Sequence, residues 1–158
     1  MKKINHKLFG ELIYDGYWTG KQKIATLGHD KIVPLTIDGE EHDVFSAIQE
    51  EAYSKFIADT NRLIQEAEQA IFEYYQEECL EYRAMLGDES ADEIAPIIIT
   101  AQQLGNLVDP IGIIILPDFE DGVRRIGLIF NCTWEEDGIG VKFENEEVVE
   151  VGYQDVVI

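Results

Sequence analysis

The sequence predicts an α+β fold in which antiparallel β meanders precede and follow a long, bent or broken amphipathic helical segment. Two periodicities predict it. Apolar residues alternate at period two near both ends, and between them they recur at steps of three and four. Charge follows a similar plan: residues 1–49 carry net −1, residues 50–93 net −10, residues 94–108 none, and residues 109–158 net −9.

The first zone reads as three short antiparallel strands. Leu8, Leu12 and Tyr14 alternate with polar neighbours, while Asp15-Gly16 and Thr19-Gly20 supply turn chemistry. Val33, Leu35 and Ile37 line a third run ending at Asp38-Gly39, and Pro34, which lacks an N–H for a ladder, places that run at a sheet edge.

From about Asp43 to Leu86 the period is helical. Phe45, Ile48, Ala52, Phe56, Leu63, Ala67, Ile71, Tyr74 and Tyr82 form one apolar stripe, with Glu50, Glu51, Glu66, Glu73 and Glu77 mostly off it. A continuous helix of this length would span about 65 Å, against a radius of gyration of about 15 Å for a compact chain of this size. A break is therefore expected at Asp59-Thr60-Asn61, whose side chains compete for backbone hydrogen bonds. Gly87-Asp88 ends the segment.

Strands return after a connector. Thr100 caps a short helix through Leu107, Asp109-Pro110 stops it, and Ile111 to Leu116 is a buried strand closed by Pro117. Ile126, Leu128, Phe130, Cys132 and Trp134 give one apolar strand face. Ile139, Val141 and Phe143 repeat it across an Asp137-Gly138 turn, and Val149 and Val151 form the last strand after Asn145-Glu146. With no repeat or long linker, residues 1–158 read as one domain.

Composition bounds the function. Of 158 residues, 32 are acidic and 12 basic, a formal net charge of −20, and 46% are apolar, which is globular rather than disordered. A chain of this length buries roughly 70% of its unfolded surface. The acidity argues against nucleic acid as a partner, because that binding rests on Lys and Arg displacing counterions, and against anionic membranes. No apolar run approaches the ~20 residues of a membrane span. Met1 to Lys7 leads into a polar, alternating segment rather than a secretory leader. Cys79 and Cys132, without Cys-x-x-Cys spacing, fit two reduced, buried thiols of a cytoplasmic protein.

Motifs that name a reaction are missing. His6, His29 and His42 have no metal-pair spacing and read as exposed or strand-edge residues. There is no nucleophile elbow, phosphate-binding loop or dinucleotide fingerprint, so no cofactor is implied. Ser46, Ser54 and Ser90 have no evident partner base, and Asp118, Glu120 and Asp121 before Gly122 read as a turn rather than a calcium loop. Carboxylates are the abundant functional group. Glu77, Glu78 and Glu81 crowd one stretch of helix, where like charges cost a few tenths of a kcal/mol per pair; this fits a solvated face or one neutralised by a basic partner. In Trp134-Glu135-Glu136-Asp137-Gly138-Ile139-Gly140-Val141 an apolar strand end runs into an acidic hairpin turn.

That stretch carries a resemblance. Gly127 to Trp134, the Glu-Glu-Asp-Gly-Ile-Gly-Val turn, Val148-Val149-Glu150-Val151-Gly152 and Asp155 resemble the C-terminal signature of an uncharacterised bacterial domain family. That family typically shows Cys-x-Trp, then Asp-Glu-Glu-His-Gly-Leu-Gly-Val. Here the turn is one residue shorter and the histidine is absent, which removes any role resting on it. The resemblance implies no activity; similar small acidic bacterial proteins include immunity partners of secreted toxins.

Three readings follow. The first is a protein-binding module, in its specific form an immunity-type inhibitor that covers a basic toxin with Glu77, Glu78, Glu81, Trp134, Glu135, Glu136 and Asp137. The second is a metal-dependent or hydrolytic enzyme using the Glu135/Glu136/Asp137 turn, opposed by the absence of an accompanying nucleophile or histidine. The third is a homodimer formed through Phe72, Tyr74, Tyr75 and Tyr82.

Overall fold

A computed structural model describes residues 2–42 and 45–157 of the chain. Among these residues eight strands form one sheet in sequence order: β1 (Lys3–His6), β2 (Gly10–Tyr14), β3 (Trp18–Thr26), β4 (His29–Ile37), β5 (Val108–Ile115), β6 (Arg125–Cys132), β7 (Ile139–Glu144) and β8 (Glu147–Gly152). Every neighbouring pair is antiparallel except β4 and β5, whose parallel register runs from Leu35↔Ile113 to Ile37↔Ile115. The α+β expectation of two meanders around a helical segment holds. The meanders join edge to edge, and the helices form the crossover a parallel pair requires.

The first meander has four strands, not three. β1 escapes the alternation because Ile4 is its one apolar residue, while its pairing with β2 places it at the sheet edge. Thr19-Gly20 is not a turn: both residues lie inside β3. A Cβ on Gly20 would fall 2.7 Å from Leu12 Cδ2, so glycine here permits close approach of β2. The turn that sequence reading passes over is Leu27-Gly28, with φ of 50° and 83°, a two-residue hairpin of the mirror-image type. Glu68 fixes it, accepting from Leu27 N at 3.1 Å and Thr26 Oγ1 at 2.7 Å.

Pro34 does not mark an edge, since β4 is central. It pairs with Lys21 on β3, and its carbonyl oxygen lies on the side of Gly112 in β5. A residue's N and C=O face the same strand edge, so the missing N–H points to β5 just before the pairing that begins at Leu35.

The helical segment breaks where expected, into α1 (Ala47–Ala58) and α2 (Thr60–Leu86) about Asp59. Asp43, placed by the sequence at the start of the helical period, lies outside the described residues. Ser46 opens α1 with a capping box, its Oγ accepting from Gln49 N while Gln49 Oε1 accepts from Ser46 N, both at 3.1 Å. Gly87, at φ 80°, ends α2, and a further helix, α3 (Asp88–Ile94), follows it. The buried stripe runs through Ala52, Phe56, Leu63, Ala67, Ile71, Tyr75, Cys79 and Tyr82 and packs on one sheet face. Tyr75, not Tyr74, continues the stripe after Ile71, one turn of four further on.

In the second half, Thr100 precedes a 3₁₀ turn (Ala101–Asn106), with Gln103 Oε1 accepting from Thr100 N at 3.0 Å. Asp109-Pro110 does not separate this turn from the strand. β5 already starts at Val108, and the ladder shift between Pro110 and Gly112 leaves Ile111 as an extra residue that accommodates the proline. Asn145 and Glu146, both at positive φ, form the β7–β8 hairpin. β8 carries its own bulge at Val149, between Glu150 opposite Lys142 and Val148 opposite Phe143. A final 3₁₀ turn (Gln154–Val157), unanticipated, folds back across the sheet face opposite the helices.

Candidate functional site

Two acidic segments of the sequence, one on α2 and one in the β6–β7 hairpin, are tied together through tyrosines: Tyr82 binds Glu135, and Glu78 and Glu135 both act on Tyr74. Trp134 anchors the hairpin end: it is buried, with its ring 4.5 Å from that of Tyr75 on α2. Its role is packing. Glu135 then reaches α2, where the Tyr82 hydroxyl donates to Glu135 Oε2 at 2.6 Å. Glu135 Oε1 accepts from Asp137 N at 3.2 Å, and Gly138 N donates to Glu135 O at 3.1 Å, closing the turn.

Tyr74 lies in the same neighbourhood. Burial, with the charge of Glu78 next in size, pushes its hydroxyl up to about 12, and Tyr153, Cys132 and Glu135 add to the effect. Tyr82 is raised further, chiefly by burial and then by its bond to Glu135. Both tyrosines stay protonated at neutral pH and act as donors or apolar surface. Burial also pushes the Cys132 thiol up to about 11, so it is not a thiolate nucleophile at neutral pH.

Beyond the turn, Glu136 and Asp137 are exposed and line a polar cleft of about 450 Å³ with Asn131, Tyr153, Gln154 and Asp155. The C-terminal 3₁₀ turn builds its other wall. Glycines on three adjacent strands make room for that turn: a Cβ on Gly127 would collide with Val157, and Cβ atoms on Gly140 and Gly152 would each lie 2.9 Å from Val156. Gln154 Nε2 donates to Phe130 O at 3.0 Å, close over Gly138. The glycines after the acidic triplet are thus explained by this docked turn. Sequence reading missed Asn131, Tyr153 and Gln154 as neighbours of the triplet; the available signal was three glycines on strands that pair side by side.

Glu77 and Glu81 are exposed on α2 and Glu78 is half-buried. Among the described residues, Glu77, Glu78, Glu81, Glu136, Asp137 and Asp155 have no ion-pair partner. Residues 66–93 hold ten carboxylates against the single cation Arg83, which is bound to Asp92 Oδ1 at 2.8 Å and to Ala95 O. The surface is therefore one of uncompensated negative charge.

Other candidates fall away from this surface. Asp118 and Asp121 cap local turns, and Asp121 pairs with Arg125 at 2.7 Å, which holds its carboxyl below the usual range. His6 is half-buried, stacks on Phe9 at 4.6 Å and accepts from Leu8 N and Phe9 N; His29 bonds Gly105 O at 2.7 Å; His42 is exposed. Among the described residues no group of three or more His, Cys, Asp or Glu is arranged to hold a metal ion. The carboxylates of the turn diverge in role, Glu135 bound to Tyr82 and the other two facing the cleft. Tyr75 and Tyr82 lie in the core, Phe72 packs against it, and Tyr74 is half-buried. Cys79 and Cys132 are free thiols, the first buried and the second half-buried.

Among the described residues, no helix is long and apolar enough to cross a membrane. Residues 8–158 match the sequence model of a family described as a domain of unknown function, DUF6985. No curated protein and no solved structure matches the chain.

Proposed function

The chain belongs to the DUF6985 family, whose description names no activity, and from its surface we propose that it is a protein-binding module for a basic protein partner. The observation that carries the reading is the set of exposed carboxylates without an ion-pair partner, Glu77 and Glu81 on α2 and Glu136, Asp137 and Asp155 about the cleft, on segments tied together by the Tyr82–Glu135 bond. Like charges crowded on a helix and a turn cost stability, and a cationic partner relieves that cost while the field speeds encounter. The cleft between Glu136, Asp137 and Asp155 suits a lysine ammonium or arginine guanidinium, with Tyr153 supplying an aromatic wall.

The specific form we propose is an immunity-type inhibitor of a basic toxin, held in a reducing cytoplasm that suits its two free thiols. Co-expression with basic products of neighbouring genes tests it. A true partner should be neutralised in cells, and its complex should weaken about tenfold or more between low and moderate salt. The variant Glu136→Gln/Asp137→Asn/Asp155→Asn should weaken it at low salt. Failure of every basic neighbour product to bind at low salt, or binding indifferent to salt, overturns the reading.

A further inference from the structure

Beside the acidic face lies an apolar ridge that the fold leaves uncovered. Residues 95–99 run antiparallel along α2, held at both ends: Arg83 Nη1 donates to Ala95 O at 3.0 Å, Tyr75 Oη to Pro96 O at 2.6 Å, and Gln76 Nε2 to Ile98 O at 2.9 Å. Ile98 is buried, so its neighbours in this extended stretch, Ile97 and Ile99, face outward and are 65% and 81% exposed. Leu80, one turn beyond Gln76 on α2, is 71% exposed. Three large aliphatic side chains thus stand in solvent along one helix–connector seam. The same side of α2 carries Glu73 and Glu77, seven and three residues before Leu80, so carboxylates rim the ridge.

We propose that this ridge docks a cationic amphipathic helix of the basic partner, with the partner's apolar stripe on Leu80, Ile97 and Ile99 and its lysines or arginines on Glu73 and Glu77. The inference rests on the basic-partner reading above and adds where, and in what secondary structure, the partner is grasped. Charge selects the occupant: a second copy of this chain brings another −20 and is repelled, whereas a basic helix finds both apolar anchors and counter-charges. An added strand is disfavoured, because the sheet edges are blunted. β1 is four residues long beside Lys2, Lys3 and Lys7, and β8 is bulged at Val149.

The test uses the full chain and two peptides of about 18 residues, or five helical turns: one with leucines at helical spacing among lysines, the other its scrambled isomer. Fluorescence anisotropy at low salt should show the amphipathic peptide binding about tenfold tighter than the isomer. Leu80→Ser/Ile97→Ser/Ile99→Ser should abolish that preference while leaving the circular dichroism spectrum and the residual charge-driven binding unchanged. Ile99→Lys, a single change at a largely exposed position, should also weaken the amphipathic peptide by repulsion. If both peptides bind alike, or if both variants keep the full preference, the ridge is overturned and the charge-driven reading stands. If neither peptide binds at low salt, both fall.

Discussion

Tyr82 and Glu135, 53 residues apart, meet in a 2.6 Å hydrogen bond that ties the second half of α2 to the β6–β7 hairpin. The bond is partly buried and its acceptor is a carboxylate, so it has structural weight as well as joining two acidic segments. Tyr82→Phe should lower the stability of the chain by about 1–2 kcal/mol, seen as a shifted urea midpoint with an unchanged slope. An unaltered midpoint would mean that water serves Glu135 equally well.

The tyrosines also set an alkaline limit. Tyr53, Tyr74, Tyr75 and Tyr82 are all raised, with burial the largest cause for each and Tyr74 pushed up to about 12. Once pH exceeds the unfolded value of about 10, the unfolded chain loses protons that the folded chain retains. Their contribution is whole below that pH and is lost as pH rises through the folded values. Urea midpoints should therefore fall between about pH 9 and about pH 11.5, and Tyr74→Phe should flatten part of the decline.

Gly127→Ala tests the seat of the C-terminal turn. Its new methyl would collide with Val157, so a loss of about 1–3 kcal/mol is expected. Val157→Gly in the same chain, which removes the Cβ 2.4 Å away as well as both methyls, should recover part of it. A double-mutant cycle in thermal unfolding reads the coupling, and strictly additive losses would mean that the contact is not the cause.

Removing the Ser46 cap should cost about 1 kcal/mol, since Ser46→Ala deletes the acceptor for Gln49 N. Gln49 also donates to Asp38 O at 2.8 Å, linking α1 to the end of β4. Chemical denaturation distinguishes this loss from a neutral surface change.

The uncompensated face should show its cost directly. Glu77→Gln/Glu81→Gln should raise the melting temperature slightly at low ionic strength, and the gain should vanish in high salt as the repulsion is screened. A lower melting temperature would mean that these carboxylates make stabilising contacts in the folded chain.

Much of the fold is legible in the sequence because its two periods are distinct. Ile126, Leu128 and Phe130 alternate over a face that is buried throughout, and the helix breaks at Asp59, where the Thr60 hydroxyl donates to Phe56 O and Ile57 O. Legibility fails where one residue serves two interpretations. Gly20 reads as turn chemistry yet permits close strand approach, and Pro34 reads as an edge marker yet sits where a central ladder has not begun. At the candidate site, the acidic triplet is visible as a hairpin, and Glu77, Glu78 and Glu81 as a charged helix face. The link between the two segments is invisible, because it depends on where the second meander docks on α2 and on one tyrosine otherwise counted as core.

The single parallel joint between β4 and β5 has a consequence for how the chain acquires its shape. Each four-stranded meander is built from local hairpins, such as the two-residue turn at Asn145-Glu146. Bringing Leu35 beside Ile113 instead closes a loop spanning roughly 70 residues between the strands, costing about 3 kcal/mol more in closure entropy than a two-residue turn. The two meanders should form early and the joint late, which leaves the inner edge of β4 open until α1, α2 and α3 have folded and returned β5 to it.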